Sequence, residues 1–465
     1  MDTKLSLPPD TGQGPLYRRL ADRICAAVTN GQIAAGQQLP PVRELAWSLE
    51  ISPGAVARAY KLGIERGALE AVVGRGTFAR GEGKPYFAFG GLLDGRGGSM
   101  IDLRGNQAVN VGQDAEITAA LARLITRYDG RLPLTEYRQR EDDLDSVEVL
   151  AGWLRAGGLP AERDRLLVTS GAQAGVVAIF ALLGRGGNGI ALTAPTIHPG
   201  LIDGATAIGM RLEPVPADAQ GVLPDALDQA LARHRPDAVQ ISPTLHNPTL
   251  ALMGTERRLA VAEVIRRHGV PVVEDDVYGR LIDAPPPSFA TLLPELCWYV
   301  TSLSKCVAAG LRAGLVLTPA GQTTATLRAY QALAHQTPWL VKALAAELVQ
   351  SGEAEAIRAR VSRETGLRSA LAERHLAPFG ATTHPAGSIA FVPLPPPWSS
   401  AEFVAATAAQ GVLLPPASIY RTGRIGGEFA RVALGANVGR ETLEIGLRRI
   451  AGILQEGPHP AGRAT

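Results

Sequence analysis

The sequence predicts an α/β protein in which a small helical domain precedes a larger domain that ends in a small α/β subdomain. Three observations lead to this prediction. The length of 465 residues exceeds what one hydrophobic core usually supports. A glycine-rich stretch interrupts the chain at residues 81–100, and beyond it short apolar runs alternate with longer helical segments. Hydrophobic content of 46% and charged content of 19% are ordinary for a globular protein.

Residues 15–80 have the pattern of three helices followed by a β-hairpin. Apolar residues recur at helical spacing in the first helix, and a second helix is predicted over Val42–Leu49. Ser52 is a good N-cap for the third helix, with Pro53 at its first position. Two short apolar runs around a glycine turn then form a wing. This order is typical of a winged helix-turn-helix, which binds DNA; a three-helix bundle without a DNA role is the alternative.

The charge of this region is consistent with a nucleic-acid partner. Residues 11–80 hold nine Arg or Lys and five Asp or Glu, so the balance is 9 − 5 = +4, whereas the whole chain has a net charge of only +2. We expect the third helix to enter the major groove with its N-terminus towards the bases. The candidate DNA contacts are Arg43, Ser52, Gly54, Arg58 and Arg75.

Seven glycines in residues 81–100 indicate a flexible linker. The predicted domains are therefore a winged helix-turn-helix at 1–80, the linker at 81–100 and a large domain at 101–465, whose small subdomain covers about 340–465. Alternating strands and helices in the large domain favour a mostly parallel sheet. The predicted strands are 166–168, 190–192, 239–241, 270–273, 299–300, 389–393 and 431–434, and the predicted helices include 173–183, 225–233 and 256–268.

The three cysteines, Cys25, Cys297 and Cys306, have no spacing typical of a disulfide framework or a metal site. The first ten residues lack an apolar stretch long enough for a secretory signal. The longest uncharged apolar run, Val176–Leu183, is far too short to span a membrane. We therefore expect a cytoplasmic protein with no metal site and no membrane partner.

Lys305 is the centre of the run Ser302-Leu303-Ser304-Lys305, and Arg312 follows seven residues later. A lysine forms a Schiff base when its surroundings lower its pKa and hold an aldehyde beside it. The forked donors of Arg312 suit a phosphate, and Ser302 and Ser304 offer hydroxyls near the lysine. The block therefore predicts a site for pyridoxal 5′-phosphate (PLP), an aldehyde that carries a phosphate.

Three acidic residues, Glu274, Asp275 and Asp276, follow a buried-strand pattern, where α/β folds place ligand-binding groups. A carboxylate there can pair with the pyridine nitrogen of PLP and keep it protonated. Order along the strand favours Asp275, and the other two compete for this role. Tyr278 is suited to hydrogen-bond the ring hydroxyl.

Three loops supply further candidates. Gly171, Ala172 and Gln173 lie where backbone N–H groups at a helix N-terminus can bind a phosphate, although a plain tight turn has the same composition. Asn247 is held extended by the proline that follows it and is a candidate for contact with the ring hydroxyl. His198 either stacks on the ring or is an exposed loop residue.

Taken in order, these motifs resemble the MocR-type regulators of the GntR superfamily, in which a winged helix-turn-helix is fused to a domain of the aspartate-aminotransferase fold (PLP fold type I). The resemblance spans about residues 14–450. The N-terminal matches are Pro15-Leu16-Tyr17, Arg43-Glu44-Leu45-Ala46, Arg58-Ala59-Tyr60 and Gly74-x-Gly76-Thr77-Phe78. The C-terminal matches are Ser170-Gly171-x-Gln173, Asn247-Pro248-Thr249, Arg257-Arg258, Glu274-Asp275-Asp276-x-Tyr278 and Ser302-Leu303-Ser304-Lys305 with Gly310-Leu311-Arg312-x-Gly314.

The resemblance implies a role for each site residue. Lys305 carries PLP as a Schiff base, Asp275 pairs with the pyridine nitrogen, and Asn247 and Tyr278 contact the ring hydroxyl. Arg431 matches the arginine that grips the carboxylate of a substrate or effector. The residues implied to hold the phosphate are Ser302, Arg312, Ala172 and Gln173. The family usually forms a homodimer through the large domain.

The chain departs from the family pattern at three places. Leu250 stands where the Asn-Pro-Thr motif is usually followed by glycine, and His198 stands where a tyrosine is common. The segment 136–149 lacks the pattern Gly-x-x-x-hydrophobic-Arg that is expected before the first large-domain helix. Because this segment often borders the active site, we expect altered substrate handling and retained cofactor binding.

These inferences predict a PLP-dependent transcription regulator that binds double-stranded operator DNA and senses a small amine or amino acid. The effector is expected to displace Lys305 from the cofactor by aldimine exchange, and the aminotransferase-like domain is expected to sense rather than to turn over substrate. Two alternatives remain: an active PLP-dependent aminotransferase with a vestigial DNA-binding domain, and a regulator that senses PLP itself.

Overall fold

The structure is a computed structural model of the chain. It describes residues 15–29, 32–33, 37–65, 68–72, 76–79, 100–138, 140–184, 187–423 and 427–457. The chain forms two compact units that divide between Asp94 and Gly95, and each is described by itself. Nearly all of the predicted linker, 81–99, lies outside the described residues, as do Arg66, Gly67 and Arg75.

The elements in chain order are as follows. The helices are α1 (Leu16–Thr29), α2 (Val42–Ser48), α3 (Pro53–Glu65), α4 (Asp114–Arg127), α5 (Leu144–Ala156), α6 (Ala172–Leu183), α7 (Pro199–Ala207), α8 (Pro224–His234), α9 (Thr255–His268), α10 (Phe289–Leu292), α11 (Thr323–Ala334), α12 (Trp339–Gln350), α13 (Glu353–Leu376), α14 (Ser400–Ala409) and α15 (Arg440–Glu456). The strands are β1 (Leu69–Val72), β2 (Gly76–Ala79), β3 (Ile101–Asp102), β4 (Leu166–Thr169), β5 (Ile190–Thr193), β6 (Arg211–Pro214), β7 (Ala217–Asp218), β8 (Gly221–Val222), β9 (Ala238–Ile241), β10 (Val272–Asp275), β11 (Cys297–Ser302), β12 (Gly314–Leu317), β13 (Ile389–Pro393), β14 (Val412–Leu413) and β15 (Phe429–Ala433).

The first unit contains α1, α2, α3 and the antiparallel hairpin β1–β2, which confirms the predicted helices and wing strands. Its core is formed by one face of each helix, because apolar residues at three- and four-residue spacing lie on the same side of a helix. α3 begins as predicted: the Ser52 hydroxyl accepts a hydrogen bond from the Ala55 N–H at 3.2 Å, and Pro53 follows at the first helical position.

The second unit is built on a sheet that, in the described part of the chain, has seven strands in the order β4-β12-β11-β10-β9-β5-β6. All neighbouring pairs are parallel except those that involve β12, which runs antiparallel to both β11 and β4. Apolar cores pack against the two faces of this sheet. The α/β fold class is therefore confirmed, with a mostly parallel sheet and helices on both sides.

The C-terminal part of this unit has its own apolar core, which joins α13, α14 and α15 to the antiparallel pair β13–β15 and the parallel pair β3–β14. The predicted strands here are confirmed. Arg368 of α13 ties the part together, because its buried guanidinium donates to the carbonyl groups of Leu434, Ala436 and Val438. Within the described residues, no helix has both the length and the apolar character needed to cross a membrane.

The strand predictions for the second unit need correction. The strand predicted at 270–273 is Val272–Asp275, because Pro271 has no N–H with which to join the ladder. The strands that were not predicted at all are β3, β6, β7, β8, β12 and β14. β12 follows β11 without a crossover helix, as an antiparallel neighbour can, so the alternation of strands and helices gives no signal for it.

α6 crosses the sheet so closely at Gly175 that a Cβ there would lie 2.6 Å from Cγ2 of Val316. Gly175→Ala is therefore expected to lower the free energy of unfolding by about 2 kcal/mol, within the range for overpacked cores. Gly152→Ala on α5 is the matched control, because its new Cβ would meet nothing nearer than 3.6 Å. It should raise stability by up to about 1 kcal/mol through helix propensity. Equal effects of the two variants in denaturant unfolding would contradict this packing.

Candidate functional site

The carboxyl ends of the parallel strands bring the predicted cofactor residues to one edge of the sheet. β4 ends just before Gly171, the loop after β9 carries Asn247, β10 ends at Asp275, and β11 leads into Lys305. In open α/β sheets ligands bind outside this edge, because the loops there converge while the strands hold them rigidly. Residues that are far apart in the sequence thus reach one site.

The antiparallel strand β12 brings Arg312 to the same edge. In the register of the sheet, Gly314 lies opposite Ser302 of β11 and, on its other side, the end of β4. Arg312 has a left-handed backbone (φ 51°), and its Nη2 donates to the Ser170 carbonyl at 3.3 Å. Gly171 has φ 92°, and a Cβ there would lie 2.6 Å from Nη2 of Arg312. Glycine is therefore required for this approach.

These residues form a site suited to an anion. α6 begins at Ala172, and no described side chain caps its N-terminus. Gln173 in its first turn and the Arg312 guanidinium are exposed to solvent. A helix N-terminus beside an exposed guanidinium attracts a phosphate through its N–H groups, the helix dipole and the full charge. Ser302 and Ser304 are buried close by, and the Ser302 hydroxyl accepts from the Ser304 N–H at 3.4 Å.

The Lys305 ammonium lies among cations. Burial, Arg431 and Arg312 lower its pKa to about 7, and Asp275 acts in the opposite direction. Its Nζ donates to the backbone carbonyl of Asn106 at 2.6 Å and lies 5.9 Å from the centre of the Tyr278 ring. A lysine with this pKa holds a substantial fraction of neutral amine at neutral pH, which is the form that attacks an aldehyde.

Alternation along β10 decides between the three acidic residues. Glu274 lies 3.8 Å from Arg258, and Asp276 accepts from the Tyr299 hydroxyl at 2.9 Å; both belong to the opposite face of the strand from Asp275. Burial and Asp276 raise the pKa of Asp275 to about 7, while Lys305 lowers it. Asp275 is thus the acid on the side of the lysine.

Tyr278 and Arg431 lie beside Lys305, and two residues that the sequence analysis missed hold them: Asn106 holds Tyr278, and the Arg104 carbonyl holds Arg431. The Asn106 amide donates to the Tyr278 hydroxyl at 2.8 Å and to Ser388 at 2.9 Å, while its backbone carbonyl accepts from Lys305. Arg431 is buried and donates to the Arg104 carbonyl at 2.7 Å. The run 104–106 has no recognisable motif. The carbonyl groups that accept from Lys305 and Arg431 belong to the backbone, so the residue types at 104 and 106 do not reveal these bonds.

The loop after β9 is almost entirely buried, and its peptide Asn247–Pro248 is cis. His246 contacts the Thr249 hydroxyl at 2.8 Å, so it holds the loop rather than facing the site. Leu250 has a left-handed backbone (φ 58°) and is buried, which gives a physical reason why glycine is usual at this position. Its Cδ2 lies 3.0 Å from where a Cβ on Gly387 would stand.

His198 is half-buried, so the exposed-loop alternative is wrong. Its Nδ1 accepts from the Gly200 N–H at 3.1 Å and caps α7. Burial and the charges of Lys305, Arg431 and Arg312 lower the pKa of His198 to about 3. The imidazole is therefore neutral at physiological pH and adds no further cation to the site.

Within the segment 136–149, of which residue 139 lies outside the described residues, Arg140–Asp143 form a short 3₁₀ turn and α5 begins at Leu144. Asp143 is buried and pairs with Arg138 at 3.0 Å and with Lys342. These residues line a cavity of about 130 Å³ together with Tyr330. The Tyr330 hydroxyl donates to Ser170 at 3.0 Å, so this departure from the family pattern is connected to the candidate anion site.

In the first unit, the candidate DNA contacts Arg43, Ser52, Gly54 and Arg58 are all exposed, whereas Arg75 lies outside the described residues. The buried side chains Leu45, Ala46, Val56 and Ala59 pack α2 against α3. This packing leaves the N-terminus of α3 and one basic side chain of each helix accessible to a partner.

Two family profiles match the chain. Residues 110–450 match aminotransferase class I and II, and residues 16–79 match bacterial regulatory proteins of the gntR family. Over 454 residues the chain is 26% identical to the uncharacterized HTH-type transcriptional regulator YdeF of Bacillus subtilis, covering 96% of each chain. Over 325 residues it is 27% identical to the vitamin B6 salvage pathway transcriptional repressor PtsJ of Salmonella typhimurium, covering 68% of this chain and 70% of the relative.

A similar solved structure is LysN, the alpha-aminoadipate aminotransferase of Thermus thermophilus, complexed with N-(5′-phosphopyridoxyl)-L-leucine. It superposes with a TM-score of 0.71 at 23% identity, covering 79% of this chain and 94% of that chain. This similarity shows the fold of the second unit.

The residues at the sheet edge fit PLP. Among the described residues, the buried Oδ1 atoms of Asp275 and Asn247 have no hydrogen-bond partner, as expected of groups that await the ring nitrogen and the ring hydroxyl. Lys305 provides the amine for the aldehyde. Arg312 and the uncapped N-terminus of α6 have the charge and the N–H groups that a phosphate would require. The donor set thus matches each functional group of the cofactor.

The depressed pKa of Lys305 predicts how cofactor capture depends on pH. Because the pKa is lowered from 10.5 to about 7, the rate of PLP capture by the cofactor-free protein should rise with pH to a midpoint near 7 and then level off. Arg431→Met removes a cation and should move the midpoint upward. Stopped-flow absorbance measures both, and Lys305→Ala should lack the borohydride-sensitive visible band. A midpoint near 10, or a Lys305→Ala variant with an unchanged band, would contradict the assignment.

Proposed function

The chain belongs to the aminotransferase class I and II family and joins it to a gntR-family domain, and on that premise we propose that it is a PLP-dependent transcription regulator that senses an effector. It binds double-stranded operator DNA through its N-terminal unit and a small amine or amino acid at Lys305. One observation carries the proposal: an exposed helix-turn-helix and a full set of PLP-binding groups occur in the same chain.

Within the second unit we assign a role to each group of the site. Bound PLP supplies an aldehyde that condenses reversibly with primary amines. Lys305 is the protein's own amine, and its pKa of about 7 lets it give up and take back a proton near neutral pH. Asp275 holds the proton of the ring nitrogen, and Asn247 and Tyr278 orient the ring through its hydroxyl. The residues that hold the phosphate are Gly171, Ala172, Gln173, Ser302, Ser304 and Arg312.

Arg431 supports an effector that carries a carboxylate. Its side chain is buried, and within the described residues its Nε has no hydrogen-bond partner. A buried guanidinium with a spare donor is costly unless a ligand completes it. An amino acid offers both the amine for the cofactor and a carboxylate for Arg431, so we favour this class over a simple amine.

Two departures from the family pattern favour sensing over turnover. Leu250 has a left-handed backbone, which is unfavourable for a residue other than glycine, three residues after Asn247. Arg138 and Asp143 of the segment 136–149 line the same cavity as Tyr330, whose hydroxyl donates to Ser170. Small misplacements of about 1 Å can cost about a hundredfold in rate and leave binding intact. An active aminotransferase remains the alternative, since every group that amine exchange needs is present in the proposed site.

The similarity to PtsJ favours a second candidate function, in which PLP itself is the effector. That relative is a repressor of vitamin B6 salvage by its printed name. In this case cofactor binding alone would change operator affinity. The two candidates differ in whether an amine has any further effect on the PLP-bound protein.

We further propose that the regulator acts as a homodimer in the cytoplasm. One small winged helix contacts few base pairs, so two copies on two half-sites give the operator affinity that regulation requires. A dimer joined through the second unit would place two winged helices on one duplex.

The assignment of α3 to DNA predicts the effect of Arg58→Ala. The variant should bind a duplex enriched from a random library by the full-length protein at least about tenfold more weakly, and the slope of log affinity against log salt should fall by about one. Arg18→Ala, which removes an exposed arginine from α1, is the control and should stay within about twofold. Fluorescence anisotropy at several salt concentrations measures both. Equal losses in the two variants would contradict the role of α3.

Sensing predicts binding without turnover. The twenty amino acids, each added to the PLP-bound protein, should include at least one that changes the visible absorbance and the operator affinity together. Keto-acid product should not accumulate over many turnovers. Sustained turnover near one per second or faster, which is typical of enzymes, would instead make the chain an aminotransferase. A response of operator affinity to PLP and to no amine would favour the second candidate.

A further inference from the structure

Arg258 has a fully buried guanidinium whose five N–H donors can all be assigned. Its side chain is 1% exposed. The acceptors are the Met253 carbonyl at 2.9 Å from Nε, the Pro286 and Pro287 carbonyls at 3.3 and 3.2 Å from Nη1, and the Pro243 carbonyl and Thr244 hydroxyl at 3.4 and 2.9 Å from Nη2. Because every nitrogen of this buried guanidinium has an acceptor, we infer that the side chain holds its neighbours in position as well as filling space.

Three of these acceptors lie at the two ends of the loop 243–253. The Met253 N–H also donates to the Pro243 carbonyl at 2.9 Å, so the two ends of the loop are bonded to each other as well as to the Arg258 guanidinium. Inside the loop, the Leu250 N–H donates to the His246 carbonyl, and Asn247 lies within this turn. The loop is therefore a small rigid body whose tip carries an amide oxygen without a partner among the described residues.

The same guanidinium contacts β10 on its far face. Arg258 lies 3.8 Å from Glu274, and its charge lowers the pKa of both Glu274 and Asp276, against the larger effect of burial. These two carboxylates flank Asp275. The Arg258 side chain thus contacts both the loop that carries Asn247 and the strand that carries Asp275.

We propose that Arg258 is a positioning residue that fixes Asn247 relative to Asp275, so that the two can meet the hydroxyl and the nitrogen of one pyridine ring. The inference rests on the proposed PLP site and adds to it a residue that does not touch the cofactor. Lysine cannot replace arginine here, because a single ammonium lacks the planar fork of donors that binds both ends of the loop at once.

Arg258→Lys tests the proposal, because it keeps the charge beside Glu274 and removes the fork. Its affinity for PLP should fall by about tenfold or more, the size of one lost hydrogen bond, and the pH midpoint of the visible band of the bound cofactor should shift. Arg257→Lys is the matched control on the same helix, since Arg257 contacts Asp218 at 2.9 Å and the Gly221 and Val222 carbonyls instead. It should stay within about twofold of the unsubstituted chain.

A double-mutant cycle separates positioning from a general loss of stability. If Arg258 acts through Asn247, most of the penalty of Arg258→Lys should vanish in the Asn247→Ala background. A penalty of the same size in both backgrounds, or an unchanged affinity and spectrum for Arg258→Lys alone, would overturn the proposal. Absence of PLP binding by the unsubstituted chain would instead overturn the proposed function itself.

Should Arg258→Lys fail to fold, Thr244→Val provides the decision. It removes one acceptor of the fork, together with the hydrogen bond of the same hydroxyl to Asp276, and keeps the shape of the side chain. A smaller loss of PLP affinity in the same direction, suppressed in the Asn247→Ala background, supports the proposal. An affinity equal to that of the unsubstituted chain contradicts it.

Discussion

The register of β11, β12 and β4 at Gly314 determines the geometry of the whole cofactor site. Gly314 pairs with Ser302 on one side and with Thr169 on the other. A Cβ on Gly314 would lie 2.7 Å from the backbone nitrogen of Ala172, where α6 begins. The absence of a side chain lets the phosphate site, the lysine strand and the Arg312 turn share one edge of the sheet. A shift of β12 by one residue relative to its two neighbours would exchange the faces of that strand.

A surplus of positive charge is the second constraint on the site. Lys305, Arg312 and Arg431 act together on His198, and Asp275 is the acid on their side of β10. Such a cluster is unfavourable until anions enter it. The phosphate of PLP and the carboxylate of an amino acid are the two anions that the proposed function would supply. Cofactor and effector would thus each relieve the repulsion among the same cations, one after the other. The affinity for either would therefore depend on whether the other is bound.

The sequence was most informative where a role requires one residue type at a fixed spacing. Lys305, Asp275 and Arg312 were predicted in this way, the structure places them at one edge of the sheet, and alternation along the strand sets Asp275 apart from its neighbours. Asn106 could not be predicted, because it serves Lys305 through a backbone carbonyl that every residue has. The pair Arg257-Arg258 belongs to the family pattern, but the role of Arg258 could not be predicted, since an arginine on a helix is usually exposed. β12 was missed although its run Leu315-Val316-Leu317 is as apolar as those of the predicted strands, because it follows β11 without the intervening helix that marks the others.

Leu250 has a consequence for the evolution of this chain. A left-handed backbone excludes β-branched residues and favours glycine or asparagine, whereas the contact with Gly387 requires an apolar side chain. Isoleucine, usually an easy exchange for leucine, fails the first requirement, and glycine or asparagine fails the second. Each single step away from leucine is therefore disfavoured unless the facing segment changes as well. A larger residue at position 387 could not simply fill the space that a glycine at position 250 would leave, because its Cβ would also lie 3.1 Å from the His384 carbonyl oxygen.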